Sequence, residues 1–208
     1  MQRVIMLSVS FAAMSFAASA VADDTPVLQG KYAFTGSASC IVGADGFSRI
    51  FTTSTVHAFT SFAVEGIRTF IPTGPGTGIG TVTGRTMGVE FFPATDSGSA
   101  SADTFHFSFT YTVNANGVWT SDVSAPGVSG TITAGPRTGQ TFTITNFPTV
   151  TGFLSTNAED LTVATLTPKV ETITYHTATG DESVNRICER SRVFVRRTGL
   201  NDDNENDQ

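Results

Sequence analysis

Charge is what this sequence has least of. Only 14% of its 208 residues are charged, against about a quarter in an average soluble domain. Lysine occurs only at Lys31 and Lys169. Solvated helices need charged faces, so a chain of surface helices is excluded. The net charge is -6, which leaves no basic surface for a phosphate backbone and argues against nucleic acid as a partner. Long apolar runs are also missing after the first two dozen residues. The chain therefore offers no later transmembrane helix, which needs about 20 apolar residues.

Cysteine is scarce, with two residues, Cys40 and Cys188. Their separation excludes a local redox motif of the C-x-x-C kind. Nucleotide motifs fail as well. The string Gly74, Gly76, Gly78, Gly80 lacks glycine at the third position after Gly76 or Gly78, where Ile79 and Thr81 stand. No helix follows to receive a phosphate. The three histidines, His57, His106 and His176, are far apart in sequence and form no metal-binding pattern. No G-x-S-x-G occurs, and Ser97 and Ser99 sit in a polar stretch without a nucleophile elbow. Glu65, Glu90 and Glu171 fall in strand-like segments, but nothing marks a catalytic pair. No catalytic residue, metal or cofactor is assigned. An enzyme of the isomerase or cyclase kind stays open as a class, with no residue in its favour.

What is present begins with the leader. "MQRVIMLSVSFAAMSFAASAVADD" has Arg3, an apolar run from Val4 to Ala17, and two small-x-small sites ending at Ala20 and Ala22. That is the pattern of a secretory signal peptide over 1–22. An exported chain meets an oxidising compartment, so Cys40 and Cys188 are expected to pair and to tie the start of the domain to its end. On the loop-entropy account such a long loop is worth about 4–5 kcal/mol. The expected location is periplasmic or secreted. An N-terminal arm (23–28), one β domain (29–198) and a disordered acidic tail (199–208) complete the organisation.

The periodicity is two almost throughout. In "TFHFSFTYTV" (104–113), Phe105, Phe107, Phe109, Tyr111 and Val113 share one parity; Thr104, His106, Ser108, Thr110 and Thr112 share the other. Strands are predicted over 31–40, 48–56, 58–71 with a bulge or bend at Gly66, 81–92, 104–113, 118–123, 129–133, 141–145, 149–155, 161–167, 169–176 and 185–197. The stretches 73–80 and 93–103 read as loops, and "NANG" (114–117) as a hairpin turn. Sequential hairpins with no covering helix must close or fold over. The fold class expected is all-β: an antiparallel up-and-down meander closed as a barrel, with a β-sandwich as the alternative. A disulfide between first and last strands favours closure. An integral outer-membrane barrel is disfavoured, because the chain ends in a polar acidic tail.

The last strand is dense in arginine. Arg186, Arg190, Arg192 and Arg196 share the parity of Cys188, and Arg197 lies on the other. Three readings compete: a solvated outer face that guards an edge, an arginine packed on an aromatic, and an anion or carboxylate site.

"LQGKYAFTG" opens the first strand with Gly30-x-Tyr32. This resembles lipocalin or calycin-type barrels, which open with Gly-x-Trp and pack a last-strand arginine on that aromatic. The resemblance covers only the two ends of the chain, and Tyr32 replaces the Trp. It implies Arg190 or Arg192 as the partner of Tyr32, and a cup that takes a small apolar molecule. Otherwise the chain looks like a small exported bacterial β-protein. The function expected is ligand binding by Phe105, Phe107, Phe109 and Tyr111; the alternative is a non-catalytic structural or cell-surface module with a filled core. Tyr111 separates the two, since a buried hydroxyl needs a partner.

Overall fold

The computed structural model describes residues 25–197. The expected leader and the acidic tail lie outside the described residues. Eleven strands follow in order: β1 (Gly30–Gly43), β2 (Val56–Gly74), β3 (Thr77–Phe92), β4 (Ser97–Val113), β5 (Val118–Val123), β6 (Val128–Ala134), β7 (Thr141–Thr145), β8 (Val150–Leu154), β9 (Asp160–Ala164), β10 (Glu171–Thr177) and β11 (Gly180–Arg196). All belong to one antiparallel sheet whose first strand pairs with its last, so the all-β, closed antiparallel fold is present.

The closure has two tiers. β1 to β4 pair in sequence, and β1 also pairs with β11. On its far side β4 meets β5 over Phe109–Val113 and β6 over Ala102–His106. β11 likewise meets β9 over Ser191–Val195 and β10 over Gly180–Arg186. Two panels therefore complete the wall, one above the other. The lower is β5-β8-β9 and the upper is β6-β7-β10, and each makes a ring of eight strands with the shared five. The wall thus departs from a simple meander after β5. The panels meet at a seam where the Thr165 amide donates to the Arg190 carbonyl and the Ser124 amide to the Ser108 carbonyl.

Parity sorts the side chains as the alternation requires. On β4 the odd positions from Phe105 to Val113 point inward and the even ones from Thr104 to Thr112 are exposed. Cys40 and Cys188 are register partners on β1 and β11, and they form a disulfide.

Several boundaries differ from the sequence reading. Residues 48–56 are mostly a loop, because the Ser48 hydroxyl accepts the amides of Ile50 and Thr52 and turns the chain. Gly74 ends β2 and Thr77 starts β3, so 73–80 is a hairpin and not a loop. Gly78 and Gly80 are strand residues whose inward side holds neighbouring rings. A Cβ on Gly80 would stand 2.4 Å from Phe109, and one on Gly78 2.4 Å from Tyr111. Gly66 is no bulge; it pairs regularly with Phe34 and Gly84. The stretch 93–103 is a short turn followed by the start of β4. The 114–117 turn is as expected, with Gly117 at φ 72° and the Asn114 side chain accepting two amides.

Candidate ligand cavity

The inside of the wall is filled at one end and hollow at the other. The lower ring encloses a packed cluster that includes Tyr32, Phe70, Phe109, Tyr111, Trp119, Leu161 and Phe194. Phe70 is its hub, with edge-on contacts to Tyr32 at 5.1 Å, Tyr111 at 5.3 Å and Phe109 at 5.4 Å. Tyr111 donates to the Leu28 carbonyl at 2.9 Å, and Tyr32 to the Ala158 carbonyl at 2.5 Å. Burial raises the pKa of both phenols, that of Tyr111 to about 12.

The upper ring encloses a cavity of about 510 Å³. Its apolar walls come from Phe105 and Phe107 of β4, Val128 and Ile132 of β6, and Phe142 and Ile144 of β7. Burial falls along β3 from Val82, which is buried, to Phe92, which is half-buried. The cavity therefore opens beside Phe92, His57 and Pro136 and ends against the packed cluster. That volume lies within the ordinary range for small-molecule pockets, roughly 300–1,000 Å³.

The four ligand candidates on β4 divide. Phe105 and Phe107 line the cavity. Phe109 and Tyr111 are buried members of the packed cluster, and the Tyr111 hydroxyl is satisfied by backbone. These two are core, and the strand runs from one compartment into the other.

The arginines of β11 overturn the outer-face reading. Arg186, Arg190 and Arg192 all line the cavity. Glu171, at the start of β10, is fully buried and receives Arg186 Nε at 3.0 Å, and Arg190 Nη2 lies 2.5 Å from its carboxylate. Arg190 also lies over the Phe147 ring at 4.4 Å, so the panel seam is filled by an ion pair backed by an aromatic. Burial lowers the pKa of Arg190, and Glu171 opposes that shift. Arg192 donates to the carbonyls of Ser37 and Ser191. Burial, with Arg190 nearby, pushes its pKa down to about 9. Gly36, its register partner on β1, admits it: a Cβ there would stand 3.0 Å from Arg192 Cγ.

Neither Arg190 nor Arg192 packs on Tyr32. The Tyr32 ring meets Phe70, and its register partners are Arg196 on β11 and Arg68 on β2. The arginine that does lie among aromatics is Arg68, which the sequence reading passed over. Its guanidinium carbon lies 4.2 Å from the Phe109 ring centre, 5.0 Å from Trp119 and 5.1 Å from Phe194. It sits where cavity meets packed core, and its Nε and Nη1 have no hydrogen-bond partner among the described residues. Burial and the charge of Arg192 bring its pKa down to about 9, so it remains a cation at neutral pH. The signal was parity: Arg68 shares its side of β2 with Val64 and Phe70, both buried.

Nearer the mouth, Asp103 accepts from the Thr86 hydroxyl at 2.6 Å, and burial raises its pKa. Arg137 lies over the Tyr175 ring at 4.3 Å and bridges to Glu182 at 2.8 Å. His106 is exposed on β4, and His176 pairs with Asp181 at 2.9 Å on the outside. Among the described residues no group of three His, Cys, Asp or Glu side chains could hold a metal ion. Comparison with protein-family models, curated proteins and solved structures yields no match.

Proposed function

We propose that this protein is exported and binds a small apolar molecule inside the upper ring. The observation that carries the reading is the cavity of about 510 Å³, walled by Phe105, Phe107, Ile132 and Phe142 and closed below by packed aromatics. Binding is supported by the largely apolar lining, beside which two hydroxyl–carboxylate contacts, Thr86 with Asp103 and Ser99 with Glu90, also face the cavity. A module with a wholly filled interior has less support, since the cavity persists in the upper ring beside a second packed cluster of Val128, Ile132, Phe142, Ile144 and Ile173. The disulfide is compatible with an oxidising compartment, and the leader pattern over 1–22 agrees with export. Among the described residues no helix is long and apolar enough to cross a membrane. On β4 the inward row from Phe105 to Val113 is apolar, and the outward row is Thr104, His106, Ser108, Thr110 and Thr112. An outer-membrane barrel reverses that arrangement.

N-phenylnaphthylamine, a neutral apolar fluorophore, tests the reading. Saturable one-to-one binding to the detergent-free protein, with energy transfer from Trp119, is the expected result. Trp119 is the only tryptophan and lies against Arg68 at the cavity floor, so the transfer reports location. Absence of saturable binding to the folded protein overturns the proposal.

A further inference from the structure

We infer that the molecule this cavity takes is an amphipathic anion, an apolar body ending in a carboxylate, held with its head against Arg68 and Arg192. This rests on the cavity reading above and adds the chemistry of the ligand to it.

The argument starts from an unmet need. A guanidinium has five N–H donors in a rigid fork and no acceptor. Arg68 is buried, lines the cavity, and has no hydrogen bond to any described residue. The faces of Phe109, Trp119 and Phe194 offset part of its charge. They give nothing for its directed N–H groups to donate to. Buried polar groups are normally hydrogen-bonded, so an orphaned one in a hollow calls for a partner from outside.

The charge balance points the same way. The fully buried carboxylate of Glu171 is occupied by Arg186 and Arg190. Asp103 accepts from Thr86, and the arginine whose charge acts on it is Arg186. Arg192 has only backbone carbonyls as acceptors. The deep end therefore holds two cations, Arg68 and Arg192, with no carboxylate of their own. Two guanidiniums suit a carboxylate, which each can meet with paired donors. The apolar walls above them, Phe105, Phe107 and Phe142 among them, exclude a small hydrated anion and suit a hydrocarbon body.

Competition against N-phenylnaphthylamine by dodecanoate, dodecanol and dodecyltrimethylammonium tests this. Dodecanoate should compete about ten- to a hundred-fold more tightly than dodecanol, the gain expected for charge-assisted hydrogen bonds at a buried site. The cationic amphiphile should be the weakest. In Arg68→Met the ratio of dodecanoate to dodecanol affinity should collapse toward one. Arg192→Gln should reduce that ratio in part. Should a variant fail to fold, the three-ligand series on the unaltered chain still decides. Equal affinity for dodecanoate and dodecanol overturns the anionic head while leaving the cavity reading intact. No competition by any of the three, with no fluorophore binding either, overturns both. Thermal stabilisation by inorganic phosphate equal to that by dodecanoate overturns the apolar body.

Discussion

Arg68 on β2 rests on the ring of Phe109 on β4, 4.2 Å from its centre, although β3 lies between their strands. The contact exists because β3 presents glycine at Gly80. The Phe109 ring lies flat across that position and becomes the floor on which the guanidinium sits. Giving Gly80 a side chain should break this arrangement. A Cβ there would stand 2.2 Å from the Thr69 carbonyl oxygen and 2.4 Å from Phe109 Cζ, so backbone and ring must both shift. Gly80→Ala should cost about 1–3 kcal/mol, the range for overpacking, read from urea unfolding of the purified protein. A shift in Trp119 emission should accompany it, since Trp119 shares the same guanidinium.

Glu171 is fully buried between Arg186 and Arg190. Glu171→Gln keeps its shape and removes the charge, leaving Arg190 buried without compensation. The expected loss is about 3–5 kcal/mol, as for one partner removed from a buried ion pair. The double replacement Glu171→Leu with Arg190→Met should recover most of it, because no charge is then stranded. Equal losses in the single and double variants would show that packing, not charge, holds the seam.

The chain has three tyrosines, and burial raises the pKa of all three. A phenol whose pKa is higher folded than unfolded binds its proton more tightly in the native state. Its contribution to stability is intact below about pH 10, the unfolded value, and is lost as pH rises through the folded value. For Tyr111 that value is about 12. Tyrosinate absorption should therefore stay low at pH 10 and appear together with loss of near-ultraviolet circular dichroism. A reversible tyrosinate signal in the intact fold near pH 10 would contradict the burial of these rings.

Asp103 gives the acid-side counterpart. Its carboxyl is raised by burial, with Thr86 and Arg186 opposing. Native protein then holds that proton more tightly than the unfolded chain. The site favours folding below about pH 4 and loses that advantage as pH rises through the folded value. Asp103→Asn should raise the melting temperature at neutral pH, and the gain should vanish as pH falls to about 4. The Asn side chain still accepts from Thr86, so the pH dependence isolates the charge.

Cys40 and Cys188 close a loop of 148 residues. Replacing both by alanine should lower stability by about 2–5 kcal/mol, and the same shift should follow reduction of the unaltered protein. The fold should persist at low temperature, because β1 and β11 remain paired from Tyr32–Arg196 to Gly43–Asn185.

Alternation made the walls legible. The inward parity of Phe105 to Val113 follows from the residues themselves, and so does the pairing of the two cysteines. Parity cannot say which inward residues meet a partner across the interior. Phe109 and Tyr111 are buried with Trp119 and Leu161 of the lower panel, while Phe105 and Phe107 line the cavity and pack only partly against the upper-panel cluster. That division depends on strands far along the chain. The arginines of β11 carried their own clue, since Cys188 shares their parity and must face Cys40. The general preference of arginine for the surface worked against it. Arg68 was readable for the same reason, as the charged residue on a row shared with Val64 and Phe70.

Two rings that share five strands but differ in their short panels divide labour between permanence and purpose. β5, β8 and β9 shut the molecule around aromatic rings whichever molecule the other end accepts. β6, β7 and β10 form a second panel of short strands, pinned to β11 by Glu171 and carrying the walls of the cavity. On the proposed binding function, a different cargo would call for edits to the cavity-lining positions of these three segments and to the row of β4 they face. The arginine pair at the base, carried by the permanent strands β2 and β11, would pass unchanged from one such edit to the next.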